Sequence, residues 1–110
     1  MSEKCNIESP SSVADGVLTV RGEELAKVAM ALSSHIRVQM LHFIRDENEK
    51  GNEVDIKNLA ELIKQSRANV STHMRILERA GLVKITYKPG IRAVKKVYTA
   101  DIREVRLILD

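Results

Sequence analysis

The residues of this sequence that could bind a ligand by charge are concentrated in one segment, residues 64–96. That segment carries nine Lys or Arg and a single acid, Glu78. Cationic side chains at this density favour a polyanionic partner, because each of them can neutralise a phosphate. Nucleic acid is the first candidate. An anionic membrane surface is less well supported, because no strongly amphipathic basic helix is visible. The basic residues are Lys64, Arg67, Arg75, Arg79, Lys84, Lys88, Arg92, Lys95 and Lys96.

The charge is distributed unevenly along the chain. Residues 1–55 carry 6 Lys or Arg and 10 Asp or Glu, whereas residues 56–110 carry 12 and 5, which gives net charges of −4 and +7. A protein that coats DNA without sequence preference would be basic over more of its surface. The acidic first half therefore argues against an architectural DNA-binding protein, although that class stays an alternative.

Catalytic and metal-binding patterns are missing from the sequence. It has no Gly-rich phosphate loop, no paired acids in an apolar stretch, and no Ser or Cys in a recognisable motif with His. We expect no enzymatic activity and no cofactor. The single cysteine, Cys5, cannot form an internal disulfide or a cysteine-rich zinc site. His35 and His42 are too few for a metal site, and His73 is expected to pack with one satisfied ring nitrogen.

The length and hydropathy predict one domain in the cytoplasm. A chain of 110 residues has room for one hydrophobic core. No apolar run approaches the roughly 20 residues that span a bilayer. The first residues show no secretory signal, so we expect a cytoplasmic protein that does not bind membranes.

The apolar periodicity predicts five helices and one hairpin, on which the basic segment is displayed. The first helix starts at residue 22, a second follows Ser34, and a third is capped by Asp55 with Asn58. The fourth helix spans about 67–79 and stops at Gly81. A period of two then predicts a hairpin over about 82–98, and Asp101 caps a final helix over about 101–109. Residues 1–21 are interpreted as a mobile tail, in which residues 17–20 form either a short strand or the lead-in to the first helix.

This order of elements is typical of a winged helix-turn-helix, a mainly α fold with a β-hairpin (α+β), here over residues 22–110. The fourth helix would enter the major groove of double-stranded DNA, with small or hydrogen-bonding residues at its start and Arg further along. The hairpin, or wing, would contact phosphates or a neighbouring minor groove. The predicted DNA-binding residues are Arg67, Ala68, Asn69, Ser71, Thr72 and Arg75 on the helix, and Lys64, Lys84, Lys88, Arg92, Lys95 and Lys96 around it.

Two segments of the sequence resemble the ArsR-type winged-helix transcriptional regulators. ALSSHIRVQML, residues 31–41, is similar to the opening pattern of the family, with Arg37 at its Arg position. The third and fourth helices, up to Ala80-Gly81-Leu82-Val83, match in order and spacing, with Gln65 and Met74 as departures. The paired Cys or the Asp, His and Glu sets of metal-sensing members are not found here, so we expect no metal site.

The resemblance and the apolar surplus of the terminal helices predict a homodimer that reads an inverted-repeat operator, most simply as a repressor. The alternative is a winged-helix module for protein–protein interaction, which would have no use for nine basic residues around the fourth helix. The operator, the effector and the regulated genes are not indicated. The predicted dimer residues are Leu25, Val28, Ala29, Leu32, Ile102, Val105, Ile108 and Leu109.

Overall fold

The computed structural model describes residues 9–110, which form four helices and five strands. In chain order these are β1 (Ser11–Ala14), β2 (Val17–Val20), α1 (Glu23–Leu32), α2 (His35–Glu49), α3 (Ile56–Ile63), α4 (Arg67–Arg79), β3 (Lys84–Pro89), β4 (Val94–Thr99) and β5 (Glu104–Leu107). The four predicted helices from residue 22 to residue 79 and the predicted hairpin are confirmed. None of the helices in residues 9–110 is long and apolar enough to cross a membrane.

The helix ends are fixed by the side chains that the sequence places there. Ser34 accepts a hydrogen bond from the backbone N–H of Arg37 and caps α2. Asp55 and Asn58 exchange reciprocal side-chain to backbone hydrogen bonds of 2.9 Å at the start of α3, so the predicted capping box is confirmed. Such caps satisfy amide groups that have no partner inside the helix.

The interpretation of residues 1–21 as a mobile tail is wrong for the described part, because residues 11–20 form the antiparallel hairpin of β1 and β2. Asp15 and Gly16 connect the strands, and both have positive φ, 52° and 77°, as a type I′ turn requires. An Asp-Gly pair between apolar residues is a hairpin signal that the sequence interpretation missed. Residues 1–8, and Cys5 with them, lie outside the described residues.

The predicted C-terminal helix over 101–109 is also wrong, because residues 104–107 form strand β5. β5 pairs in parallel with β2 and completes a three-stranded sheet of order β1-β2-β5. The N–H groups of Arg103 and Ile108 donate to the carbonyls of Gly16 and Val20. The free edge of β2 thus offers the last residues a set of backbone hydrogen bonds that outweighs their local tendency to form a helix.

The core lies between the helices and the inner face of this sheet. β2 contributes Leu18 and Val20, which are about 1% exposed. The other members that are buried at or below 2% exposure come from every helix, from the wing, and from the segments just before α3 and just after α4: Val28, Ala31, Met40, Ile44, Val54, Leu59, Val70, Met74, Leu77, Leu82 and Tyr98. Among the described residues no polar or charged side chain is buried, so the chain's charged chemistry lies on its surface.

Candidate nucleic-acid interface

Helices α3 and α4 form a helix-turn-helix, joined by residues 64–66. Lys64 ends α3 in the left-handed conformation with φ 57°, which turns the chain sharply. Ser66 caps α4 and accepts a hydrogen bond of 3.1 Å from the N–H of Asn69. The turn therefore sets the direction of α4 relative to α3.

One face of α4 is buried and the other is open. Val70, Met74 and Leu77 pack in the core, as their spacing predicts. The opposite face exposes Arg67, Ala68, Asn69, Thr72 and Arg75, and Ser71 is partly exposed. The helix is thus held by its apolar stripe while its small, polar and basic residues face outwards together.

Gly81 fixes the other end of α4. Its φ is +83°, and its N–H donates to the carbonyl of Glu78 at 3.0 Å. The N–H of Leu82 donates to the carbonyl of Leu77 at 3.0 Å. These two bonds are those of a Schellman motif, which ends the helix and leads the chain into the wing.

Arg67 and Arg75 are uncommitted donors on the open face of α4. Within residues 9–110, neither makes an ion pair or a side-chain hydrogen bond, and the same holds for the exposed Arg79 at the end of the helix. Two other side chains on this helix already make one bond each: the amide of Asn69 donates to Gln65 at 3.2 Å, and the hydroxyl of Thr72 donates to the carbonyl of Ala68 at 3.2 Å. The two guanidinium groups are therefore free to donate to a ligand.

The wing is the antiparallel pair of β3 and β4, and its lysines divide between two faces. Pairing of Lys88 with Lys95 and of Lys84 with Thr99 places these three lysines on one face of the hairpin. Lys96 is on the other face, opposite Tyr87, and its ammonium lies 6.0 Å from the centre of the Tyr87 ring. That second face borders α4, since Lys96 and Tyr87 line a small cavity together with Ser71 and Arg75.

Three of the predicted DNA-binding lysines have acidic partners. Lys84 lies 3.5 Å from a carboxylate oxygen of Asp101. Lys88 and Lys95 both contact Glu53, which precedes α3. The Lys88 hydrogen bond and charge, helped by Lys95, hold the pKa of Glu53 below its ordinary value of 4.5. Lys64, Lys96 and Arg92, all exposed, make no such ion pair with any residue in the described part of the chain.

A cleft beside the start of α4 adds a residue that the sequence interpretation missed. Its volume is about 410 Å³, and it is lined by one acid, Asp55, and by four basic side chains, Lys57, Arg67, Lys95 and Lys96. Lys57 belongs to α3 and lies outside the basic segment 64–96. Lys57 is the second residue of α3, the first helix of the helix-turn-helix, and this position could have identified it from the sequence. The cleft joins the helix-turn-helix and the wing into one basic surface.

Arg37, on α2, connects this helix to α1 and α4. Its guanidinium donates to the carbonyls of Ala31 and Met30, at 3.0 and 2.9 Å, and so satisfies two acceptors in the last turn of α1. Its Nη1 lies 3.2 Å from Nδ1 of His73 on α4. Arginine can only donate, so Nδ1 accepts and the neutral ring carries its proton on Nε2. The expectation that His73 packs with one satisfied nitrogen is confirmed.

The predicted dimer residues divide between the core and the surface. Val28 and Ile102 are buried within the chain itself, so they offer nothing to a partner. Leu25, Leu32, Val105 and Ile108 are partly exposed, whereas Ala29 and Leu109 are exposed. Two exposed apolar residues lie close to them in sequence: Met30, which belongs to the apolar surplus of the first helix, and Leu107, which the sequence interpretation missed.

Metal ligands are not assembled anywhere in residues 9–110, where no group of three or more His, Cys, Asp or Glu could hold an ion. His35 and His42 lie on the outside of α2.

Residues 34–84 match the family model of the bacterial regulatory proteins of the arsR family. The match runs from the cap of α2 to the first residue of the wing. It therefore covers α3, the turn and α4, on which the exposed Arg67 and Arg75 lie. Regulators of this family are DNA-binding transcription factors and not enzymes. No curated protein matches the chain in sequence.

Two solved structures are similar in fold. Reduced HlyU from Vibrio cholerae N16961 has a TM-score of 0.55 and 25% identity, over 70% of this chain and 72% of that chain. Mb0332 from Mycobacterium bovis, described as a homodimeric winged helix-turn-helix DNA-binding domain and a possible ArsR-family transcriptional regulator, has a TM-score of 0.57 and 20% identity, over 72% of this chain and 65% of that chain. The winged helix-turn-helix fold is thereby confirmed.

Proposed function

We propose that this chain is an ArsR-type winged helix-turn-helix regulator and that it binds double-stranded DNA in a sequence-specific manner as a homodimer. α4 would lie in the major groove, with Arg67 and Arg75 donating to base edges or phosphates. The wing would follow the backbone through Arg92 and Lys96. The simplest mode of action is repression, by occupying an inverted-repeat operator.

The observation that carries this proposal is the open face of α4. Its small residues, Ala68 and Ser71, permit close approach to base edges, and Arg67 and Arg75, which have no partner within residues 9–110, flank them on the same helix. A module for protein–protein interaction would not need this face to be polar and cationic. Lys57, Arg67 and Lys96 line the adjoining cleft, which extends the cationic surface towards the wing.

The homodimer is supported by apolar residues that the single chain leaves open. Met30 on α1 is 55% exposed, and Leu107 and Leu109 at the end of the chain are 46% and 87% exposed. Mb0332, which shares the fold, is homodimeric. One domain reaches a short half-site, whereas two domains related by a two-fold axis can place their recognition helices about 34 Å apart, one turn of DNA.

Substitution of single arginines tests the placement of the recognition surface. We expect Arg75→Ala to weaken binding and to relax base preference at one position, at a cost of about 1–3 kcal/mol in discrimination. Arg92→Ala should weaken binding to all sequences alike and reduce the salt dependence by about one unit. Titration of labelled duplexes over a salt series measures both.

Lys27→Ala is the matched control for these titrations, because it removes one positive charge from α1, outside the helix-turn-helix and the wing. It should leave affinity nearly unchanged. An Arg75→Ala variant with unaltered affinity and sequence preference would show that the recognition surface is placed wrongly.

A further inference from the structure

The wing holds two lysines in a position that needs a counter-charge. Lys88 and Lys95 are directly paired across β3 and β4, so their side chains share one face. Like charges in this arrangement repel each other. One carboxylate meets both of them: Glu53 Oε2 contacts Lys88 Nζ, and Glu53 Oε1 lies 3.6 Å from Lys95 Nζ.

Glu53 is held in place by its neighbours in the chain. Next to it, Val54 is fully buried, and its carbonyl accepts a hydrogen bond of 2.9 Å from the N–H of Tyr98 in β4. On the other side, Asn52 is bonded to Glu47 through both its backbone and its side chain. The carboxylate is therefore presented to the wing by an anchored backbone.

Lys95 has a second surface within reach. It lines the basic cleft with Lys57, Arg67 and Lys96, beside the start of α4. The same side chain thus contacts an acid on one side and borders the proposed DNA surface on the other. Lys88, Lys95 and Glu53 are all nearly half exposed. Exchange of the carboxylate for another anion needs no unpacking of the core.

We propose that Glu53 is an internal competitor of the DNA backbone for the wing lysines Lys88 and Lys95. In the free protein the carboxylate neutralises the pair and positions the wing. On DNA, phosphates replace the carboxylate. Part of the favourable electrostatic free energy of binding is therefore offset by the loss of the Glu53 ion pairs. The residue therefore limits affinity for any duplex and leaves the discrimination between sequences to α4. This inference rests on the proposed function.

The test is Glu53→Gln, which keeps the shape and removes the charge. We expect the variant to bind duplex DNA about two- to fivefold more tightly at low salt, the range of an exposed ion pair. The salt dependence should steepen by up to about one unit, so the difference should close as salt is added. The ratio of affinities for two different duplexes should stay the same, and the midpoint of thermal unfolding should change little.

Two comparisons separate this mechanism from a general charge effect. Glu49→Gln removes another exposed acid, at the end of α2, that pairs with Arg45 and contacts neither lysine, and it should give a smaller gain. In a Lys88→Met, Lys95→Met background, Glu53→Gln should give no gain. A gain of the same size in that background would overturn the proposal, as would weaker binding by Glu53→Gln itself. A wild type that binds no duplex at any salt concentration would overturn the proposed function and this inference with it.

Discussion

At the scale of single residues, Arg37 and His73 link α4 to the rest of the domain. Arg37 satisfies carbonyls at the end of α1 and donates to His73 on α4. The bond to His73 exists only while Nδ1 is unprotonated. Burial, and then the Arg37 charge, lower the pKa of His73 below its ordinary value of 6.5.

The lowered pKa predicts a dependence of stability on pH. Between the folded pKa and 6.5 the unfolded chain binds more protons than the folded chain, so the contribution of His73 is complete above about pH 6.5 and declines as the pH falls towards the lowered value. We expect urea denaturation to show a smaller loss of stability from pH 7.5 to pH 5.5 in His73→Asn than in the wild type. Equal losses in the two proteins would contradict this role of His73.

The lysines show how far single residues could be predicted from the sequence. Their types and spacing predicted a basic surface, and Lys96 and Arg92 are exposed on it. The partners of Lys88 and Lys95 could not be predicted, because Glu53 is far from them in the chain and is brought to them by the pairing of Val54 with Tyr98. A count of charges along the sequence therefore cannot show that Glu53 neutralises Lys88 and Lys95.

At the scale of elements, the helix-turn-helix followed from local rules. The hydrogen bonds that begin and end these helices join residues only a few positions apart, so the sequence alone is enough to predict them. They involve the caps Ser34, Asp55 and Ser66 and the terminating Gly81. Strand β5 depends instead on the edge of β2. Ile102, Val105 and Ile108 fit a helical spacing, but their β-branched side chains suit a strand as well. The distant pairing decided between the two.

The glycine that ends α4 gives a prediction at this scale. Gly81→Ala should lower the free energy of unfolding by about 1 kcal/mol, since an L-residue at positive φ costs roughly that amount. The cost would come from the backbone, because an added Cβ would meet only Leu18, at an ordinary contact distance of 3.8 Å.

Gly81→Asn is the comparison for that substitution, because asparagine tolerates the left-handed conformation better, and it should cost less. Denaturation midpoints in urea measure both variants. An alanine variant as stable as the wild type would contradict the argument from backbone conformation.

At the scale of the whole molecule, the dimer was predicted from two apolar terminal helices, and the structure retains one of them. The end of the chain is a strand, and it still leaves Leu107 and Leu109 exposed near the end of β5. The surplus of apolar residues was visible in the sequence. Which of them the single chain buries, such as Val28 and Ile102, could not be known before the sheet was in place.

Substitution of exposed apolar residues by aspartate tests the proposed dimer surface. Met30→Asp and Leu109→Asp, made separately, should each shift the protein towards a monomer in sedimentation velocity at micromolar concentration, because a buried unpaired carboxylate destabilises an interface. Ile91→Asp is the control. Ile91 is fully exposed in the loop of the wing, so the mass should not change. A wild type that is monomeric and still binds one non-palindromic site tightly would contradict the dimer.

The most direct test of the central proposal is the selection of bound fragments from a library of random duplexes, followed by sequencing. A sequence-specific homodimer predicts enrichment of a two-fold symmetric motif, with half-sites about one helical turn apart. Two chains should be bound to each selected duplex. Binding that enriches no sequence over the starting library would contradict the account, since it would make the protein a non-specific DNA-binding protein.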